Sequence, residues 1–180
     1  DFCGCLQISD IPDNISKYYP DEYYSYMPRE ELKESQIYKM LNNCRSEYAV
    51  FNKNIIGRLI SLFYPDPVLS SLSYVEINYK SKILDIGCGS GNLLYKMKNM
   101  GFVDLLGVDP FISKDIIYNN GLTIKKIELD KIENTWDIIM FHHSFEHMIN
   151  QKEILDNVFS LLSNFGRCMI RIPIVSSKAW

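Results

Sequence analysis

The chain has 180 residues, a length that suits one domain, and 47% of them are hydrophobic, enough to bury a sizeable core. The formal net charge is −3 and no block of Lys and Arg occurs, so no nucleic-acid partner is expected. No apolar run approaches the roughly 20 residues that span a bilayer, and the N-terminus lacks the pattern of a signal peptide. We therefore expect a cytoplasmic protein without membrane insertion.

The five cysteines are spread along the chain, and their odd number argues against a disulfide framework. Cys3 and Cys5 form the only close pair in the sequence. Structural zinc usually needs four ligands in two such pairs. Two interpretations stay open: free thiols near one end of the chain, or the remaining half of a zinc knuckle whose other half lies upstream.

The N-terminal part is rich in aromatic residues and is followed by a helical pattern. Residues 1–28 read as irregular, and the tyrosines between positions 18 and 26 predict either a lid over a substrate or packing of an arm against the sheet edge. Apolar residues at helical spacing over Glu30–Phe63 predict one long or two shorter helices, ended by Pro65 and Pro67.

From Ser81 onward, short apolar strands alternate with helices, which predicts a mostly parallel sheet with helices on both faces, a doubly wound α/β fold. The predicted strands are Lys82–Ile86, Leu105–Val108, Thr123–Leu129, Asp137–Phe141 and Arg167–Ile172, and the predicted helices are Gly91–Met100 and Gln151–Ser163. Asn164 and Gly166 predict the turn into the last strand. Residues 1–80 would then be an N-terminal aromatic arm and helical extension, and residues 81–180 the α/β core.

A glycine-rich turn follows the first predicted strand. Gly87, Gly89 and Gly91 allow a sharp turn and a close approach of a ligand to the backbone. The backbone N–H groups at the start of the next helix can bind polar or anionic ligand atoms. A dinucleotide fingerprint would need Gly or Ala at Asn92, and no Gly-Lys-Ser/Thr of a P-loop follows.

An acid lies 20 residues after Gly89, at the end of the second predicted strand: Asp109, followed by Pro110. A carboxylate in this place can accept two hydrogen bonds from a ribose diol. The alternative is a turn carboxylate before a proline. Both the glycine turn and Asp109 belong to the carboxyl edge of the sheet, where open α/β sheets bind ligands.

The segment Leu84–Gly91 resembles motif I of class I S-adenosylmethionine-dependent methyltransferases. This resemblance implies a Rossmann-like methyltransferase fold and S-adenosylmethionine as the cofactor, with the glycines at its methionine part and Asp109 at its ribose. The full set of cofactor-binding residues that the resemblance implies is Asp85, Gly87, Cys88, Gly89, Gly91, Asp109, Pro110, Glu128, Leu129 and His142. Among these, Asp85 would support the loop and the methionine amino group, and Glu128 and Leu129 would lie near the adenine.

The segment after the fourth predicted strand resembles a branch of that family with an H-x-x-E-H sequence, formed here by His143, Glu146 and His147. A hydroxyl acceptor would benefit from a general base, and histidine titrates near the required pH. His143 is the first candidate and His147 the second. The alternatives are that these residues order the loop, or that all three bind a divalent metal as in metal-dependent relatives with E-x-x-E-H; no metal is included in the prediction.

The resemblance covers roughly residues 80–175 and implies methyl transfer to a small-molecule or glycan acceptor. The expectation of a glycan acceptor rests on the tail Arg171–Trp180. This tail resembles that of a subgroup whose relatives occur with glycan biosynthesis. Family cores usually have seven strands, so a chain ending just after the fifth is expected to lack the last two. The alternatives are a protein that binds S-adenosylmethionine or S-adenosylhomocysteine without catalysis, a nicotinamide-dependent oxidoreductase, and a methyltransferase acting on protein or nucleic acid. The sequence does not indicate an oligomeric state.

Overall fold

The structure is a computed structural model that describes residues 24–26 and 35–173. Its centre is a six-stranded sheet in the order β3-β4-β2-β1-β5-β6. The strands are β1 (Ile83–Ile86), β2 (Leu105–Val108), β3 (Ile116–Ile117), β4 (Thr123–Lys125), β5 (Trp136–His142) and β6 (Leu162–Arg171). All neighbouring pairs are parallel except β3 with β4. The mostly parallel sheet that the sequence predicted is confirmed.

The described helices are α1 (Gln36–Phe51), α2 (Ile55–Phe63), α3 (Pro67–Ser71), α4 (Asn92–Met100) and α5 (Gln151–Leu161). The helical pattern before the sheet thus forms two helices within the described residues. The chain breaks between them because Asn52 has φ +54° and Asn54 has φ +86°, and the Asn54 side chain accepts the N–H of Gly57 to cap α2. The five-residue helix α3 lies beyond Pro65, where the sequence pattern predicted no helix.

Two clusters of buried residues lie on opposite faces of the sheet. Ile83 and Ile138 belong to the first cluster, together with residues of α1, α3 and α4. Their strand neighbours Leu84 and Ile139 belong to the second cluster, with Val158 of α5. Because side chains alternate between the two faces of a strand, both faces are apolar and both are covered by helices. The doubly wound arrangement is therefore confirmed.

Two predicted strands differ from the structure by more than two residues. The third predicted strand, Thr123–Leu129, ends at Lys125, and it pairs with the short antiparallel strand β3, which the sequence pattern missed. Two-residue strands carry too little periodicity to be recognised.

The last strand also differs, because β6 begins directly after α5 and includes Asn164 and Gly166. The register against β5 shifts between Trp136 and Ile138. The predicted turn is therefore an irregularity within β6, where a side chain at Gly166 would lie 2.7 Å from the Trp136 carbonyl oxygen.

Cys3, Cys5 and most of the N-terminal tyrosines lie outside the described residues. The same holds for residues 174–180 of the tail. Within residues 24–26 and 35–173, none of the helices combines the length and the apolar character that crossing a membrane would require.

Candidate functional site

The predicted site residues converge on one edge of the sheet. Because β2, β1, β5 and β6 are parallel neighbours, their carboxyl ends lie side by side. The glycine turn follows β1, Asp109 follows β2, and the histidine-rich segment follows β5. The strand order also reverses between β1 and β5, and such a reversal is where open α/β sheets bind ligands.

The glycine turn is held by backbone hydrogen bonds to β2. All three glycines have positive φ, +70° at Gly87, +56° at Gly89 and +76° at Gly91. The N–H of Gly87 donates to the Val108 carbonyl at 2.8 Å. A side chain at Gly87 would stand 2.5 Å from Cβ of Ser144, so the turn and the loop after β5 touch each other. Only glycine meets both the backbone conformation and this close approach.

Asp109 joins the second strand to the glycine turn. Its Oδ2 accepts the N–H of Gly89 at 2.8 Å, and its Oδ1 accepts the N–H of Phe111 at 2.9 Å. The residue is 4% exposed, and burial raises its pKa although backbone N–H groups oppose that shift. A carboxylate has about four acceptor positions, so these backbone contacts leave Asp109 capacity to accept from a ribose hydroxyl.

Asp85 is a second buried carboxylate at this edge. It is 2% exposed, and its Oδ1 is buried without a hydrogen-bond partner among the described residues. Burial, together with the charge of Asp109, raises the pKa of Asp85 well above its usual range. No Lys, Arg or His nitrogen in the described part of the chain lies within 4.0 Å of either carboxylate. Two buried carboxylates without a cation favour a ligand that supplies positive charge and hydrogen-bond donors.

Cys88 and Pro110 flank these groups. The N–H of Cys88 donates to the Val108 carbonyl at 3.3 Å, and Pro110 directly follows Asp109 as a half-buried residue. Burial and the charges of Asp85 and Asp109 raise the pKa of the Cys88 thiol well above its usual range, so the thiol is neutral and no nucleophile.

Residues 24–26 of the aromatic arm touch the glycine turn. The Ser25 carbonyl accepts the N–H of Ser90 at 2.7 Å, and a side chain at Gly89 would stand 2.4 Å from that carbonyl oxygen. Tyr118 donates from its hydroxyl to the carbonyl of Ser90 at 2.7 Å. The sequence pattern did not assign either contact, because both link residues far apart in the chain.

Glu128 and Leu129 lie beyond the end of β4. Glu128 is exposed, and Leu129 begins a short 3₁₀ helix and packs against the second core cluster. They were expected at the end of a longer strand. Their role at an adenine ring stays a prediction.

His142 ends β5 with a neutral ring. Both ring nitrogens are buried without a partner among the described residues. Burial lowers its pKa to about 4, with further lowering by the charge of Arg171. The ring is therefore uncharged at neutral pH and can donate one hydrogen bond and accept another.

His143, Glu146 and His147 form one cluster after β5. Glu146 Oε1 lies 3.8 Å from His143 Nδ1 and 3.9 Å from His147 Nε2. His143 has φ +55°, an uncommon value for a residue with a side chain, and its N–H donates to the Arg171 carbonyl at 2.9 Å. Within residues 24–26 and 35–173, no group of three His, Cys, Asp or Glu side chains is arranged to hold a metal ion.

Arg171, which the sequence analysis did not assign to the site, lies at the end of β6 opposite His142. Its Nη1 is 2.6 Å from Nε2 of His143. Because a guanidinium only donates, Nε2 accepts, and the proton of this neutral imidazole is on Nδ1, facing Glu146. The sequence feature that could have indicated this residue is a cationic side chain near the carboxyl end of a predicted strand.

Comparison with known proteins gives one family match. A family model described as "Methyltransferase domain" matches residues 59–179. No curated protein matches the chain.

Several solved structures resemble the chain. The plantazolicin methyltransferase BpumL, in complex with a monoazolic desmethylPZN analog and SAH, is 20% identical over 87% of this chain and 51% of that chain, with a TM-score of 0.44. The magnesium protoporphyrin IX methyltransferase ChlM from Synechocystis PCC 6803, with bound SAM, is 14% identical over 87% of this chain and 75% of that one, with a TM-score of 0.47. The chain spans between 51% and 62% of the BpumL chains that it matches.

Proposed function

The chain belongs to the family of methyltransferase domains, and on that premise we propose that it transfers a methyl group from S-adenosylmethionine to a small-molecule or glycan acceptor. The observation that carries the cofactor assignment is the pair Asp85 and Asp109. Both carboxylates are buried beside the glycine turn, and no cation of the described residues lies within 4.0 Å of them. S-adenosylmethionine carries an ammonium group, a sulfonium and a ribose diol, which are the groups that such a pair would bind.

The residues present fit this cofactor. The buried and unpartnered Oδ1 of Asp85 suits the ammonium group of the methionine part. Asp109 is already oriented by the N–H groups of Gly89 and Phe111, and it keeps acceptor positions for the ribose hydroxyls. Cys88, Gly91, Pro110, Glu128, Leu129 and His142 complete the proposed cofactor-binding set.

When bound, S-adenosylmethionine supplies an electrophilic methyl group on a sulfonium, which reacts by in-line displacement. The task of the chain is therefore to position the acceptor in line with that methyl group and to exclude water. The loop after β5 borders the glycine turn, since Ser144 donates from its hydroxyl to the Ile86 carbonyl at 2.7 Å. This contact supports the proposal that His143 and His147, which follow β5 in the same loop, face the acceptor.

We propose His143 as the residue that accepts the acceptor's proton, with His147 as the second candidate. Neutral imidazole has one lone pair for this purpose, and at His143 it is on Nε2, which now accepts from Arg171. Nε2 must therefore lose its hydrogen bond from Arg171 before the ring can act as a base.

The test is acceptor-dependent formation of S-adenosylhomocysteine from S-adenosylmethionine by the purified chain, with a panel of hydroxylated small molecules and oligosaccharides. We expect turnover with a subset of the panel, and a loss of about 10²-fold or more in His143→Gln if His143 is the base. Arg167→Gln, a change four residues before Arg171 and away from the carboxyl edge of the sheet, serves as a control that keeps turnover. Binding of the cofactor without turnover by any acceptor would instead support the non-catalytic alternative, and binding of a nicotinamide dinucleotide in its place would contradict the proposal.

A further inference from the structure

The cation Arg171 lies at the site edge, and no carboxylate among residues 24–26 and 35–173 pairs with it. Its Nη1 donates to the neutral His143 ring at 2.6 Å, and its remaining N–H groups have no described protein acceptor. In the described part of the chain, no carboxylate oxygen lies within 4.0 Å of this guanidinium. A guanidinium has five N–H donors in a planar fork, so the described residues use only a small part of its hydrogen-bonding capacity.

Some other cations of the described residues have carboxylate partners, and the nearest comparison is on the same strand. Arg167, four residues earlier on the same strand, lies 2.8 Å from Glu76. Lys96 lies 2.8 Å from Asp66. The contrast within β6 is informative, because the arginine far from the site is paired with an acid and the one at the site is not.

The surroundings of Arg171 contain few other charges. His142, opposite Arg171 across the strand pair, is neutral at pH 7 because its pKa is about 4. Glu146 is 3.8 Å from the far nitrogen of the His143 ring and is shared with His147. The imidazole of His143 thus separates the guanidinium from the acid. Oxyanions such as carboxylate and phosphate are the groups that a guanidinium fork binds best.

We propose that the acceptor carries an oxyanion, a carboxylate or a phosphate, and that Arg171 binds it. This inference rests on the proposed function, since it names the acceptor class of the same site. An oxyanion on the fork replaces the imidazole as the partner of Nη1, which frees the lone pair of His143 Nε2. Arg171 is then a specificity-determining residue that couples recognition of the acceptor to the availability of the base.

The experiment uses the full chain saturated with S-adenosylhomocysteine, and its probes are inorganic phosphate and acetate at constant ionic strength, with acetamide as the neutral match of acetate. The chain has three histidines, so the ¹⁵N resonances of the imidazoles are assigned with single His→Gln variants. The comparison is between the unmodified chain, Arg171→Gln and the same-strand control Arg167→Gln. Calorimetry with S-adenosylhomocysteine is run first on each protein.

We expect phosphate, acetate or both to shift the His143 Nε2 resonance saturably in the unmodified chain and in Arg167→Gln. In Arg171→Gln, affinity for the oxyanion falls about tenfold or more, the usual effect of losing a charge-assisted hydrogen bond. Which probe binds more tightly tells a carboxylate acceptor from a phosphate acceptor.

Equal shifts in the two arginine variants, equal effects of acetate and acetamide, or no saturable shift in the unmodified chain would each overturn the assignment of Arg171. If the proteins still bind S-adenosylhomocysteine, those outcomes do not contradict the proposed function. Failure of all three folded proteins to bind S-adenosylhomocysteine would be a failure of the proposed function itself.

Discussion

At the scale of single residues, the buried carboxylates Asp85 and Asp109 lower the free energy of unfolding of the chain. Their pKa values are raised by burial, and that of Asp85 also by the charge of Asp109. A raised carboxyl pKa means that the ionised form is less favourable in the folded chain than in the unfolded chain. The two carboxylates therefore destabilise the fold at neutral pH. A positively charged ligand bound beside them would offset this loss.

We predict that Asp85→Asn stabilises the ligand-free chain and weakens cofactor binding. Removing the buried charge should raise Tm at pH 7 by about 2–4 °C, the shift that about 1 kcal/mol gives in a chain of this size. The same change should weaken S-adenosylhomocysteine binding about tenfold or more, because a charge-assisted hydrogen bond to its ammonium group is lost. Thermal unfolding and calorimetric titration measure the two effects.

The gain in stability should shrink as the pH falls toward 4. The folded pKa of Asp85 lies above the unfolded value, so the penalty is full above the folded pKa and disappears below the unfolded one. Asp137→Asn is the matched control. Its carboxylate accepts the N–H of Lys82 and the hydroxyl of Ser163, so this change should lower Tm. If Asp85→Asn instead lowers Tm as Asp137→Asn does, the account of Asp85 is wrong.

At the scale of elements, one buried acid, Asp66, contacts three helices. Asp66 accepts the N–H of Leu69 at the start of α3. It also pairs with Lys96 of α4 at 2.8 Å and with Arg45 of α1 at 3.8 Å. Burial alone would raise the pKa of Asp66, but the hydrogen bond from Lys96, the N–H of Leu69 and the two cations lower it below its usual value.

We predict that Asp66→Asn destabilises the chain by about 2 kcal/mol, because it leaves Lys96 without its acid and weakens the cap of α3. The control is Asp130→Asn, whose partner Lys131 is as exposed as Asp130 itself, and which should change the free energy of unfolding by less than about 0.5 kcal/mol. Denaturant unfolding at pH 7 measures both. Equal stability of the two variants would show that Asp66 does not hold these helices together.

The elements that the sequence predicted well are those whose pattern is local. Apolar runs bounded by turn residues located β1, β2 and β5 within one or two residues, and helical spacing located α4 and α5. The break at Asn52–Asn54 and the strand β3 were not predicted, because they depend on single backbone conformations and a two-residue pairing. The irregular start of β6 depends on its register against β5, which no local pattern encodes.

The site residues were also predicted only where their pattern is local. The glycine turn and Asp109 were predicted together because a strand, a turn and an acid at the end of the next strand form a local signature, and Asp85 was assigned from the resemblance to motif I. Arg171 and Ser25 were missed as site residues, since their partners are His143 and Ser90, which lie far away in the chain. Only the order of the strands brings these residues to one edge.

At the scale of the whole molecule, the order of the strands separates the proposed cofactor-binding residues from the proposed acceptor-binding residues. The reversal between β1 and β5 places the carboxylates and the glycine turn on one side, and the histidine cluster with Arg171 on the other. Neighbouring strands lie about 4.8 Å apart, so Arg171 is about 10 Å across the sheet from the end of β1. A cofactor on β2 and β1 and an acceptor on β5 and β6 would meet over the loop that follows β5.

The most direct test of this account is calorimetric titration of the chain with S-adenosylhomocysteine, beside Asp109→Asn and the exposed control Asp104→Asn. Circular dichroism first establishes that all three proteins are folded. The account predicts binding to the unmodified chain and to Asp104→Asn with the same affinity. It predicts binding at least about tenfold weaker in Asp109→Asn, a loss of about 1.4 kcal/mol, because the ribose diol loses its anionic acceptor. Equal affinity in all three proteins, or no binding by the folded unmodified chain, would contradict it.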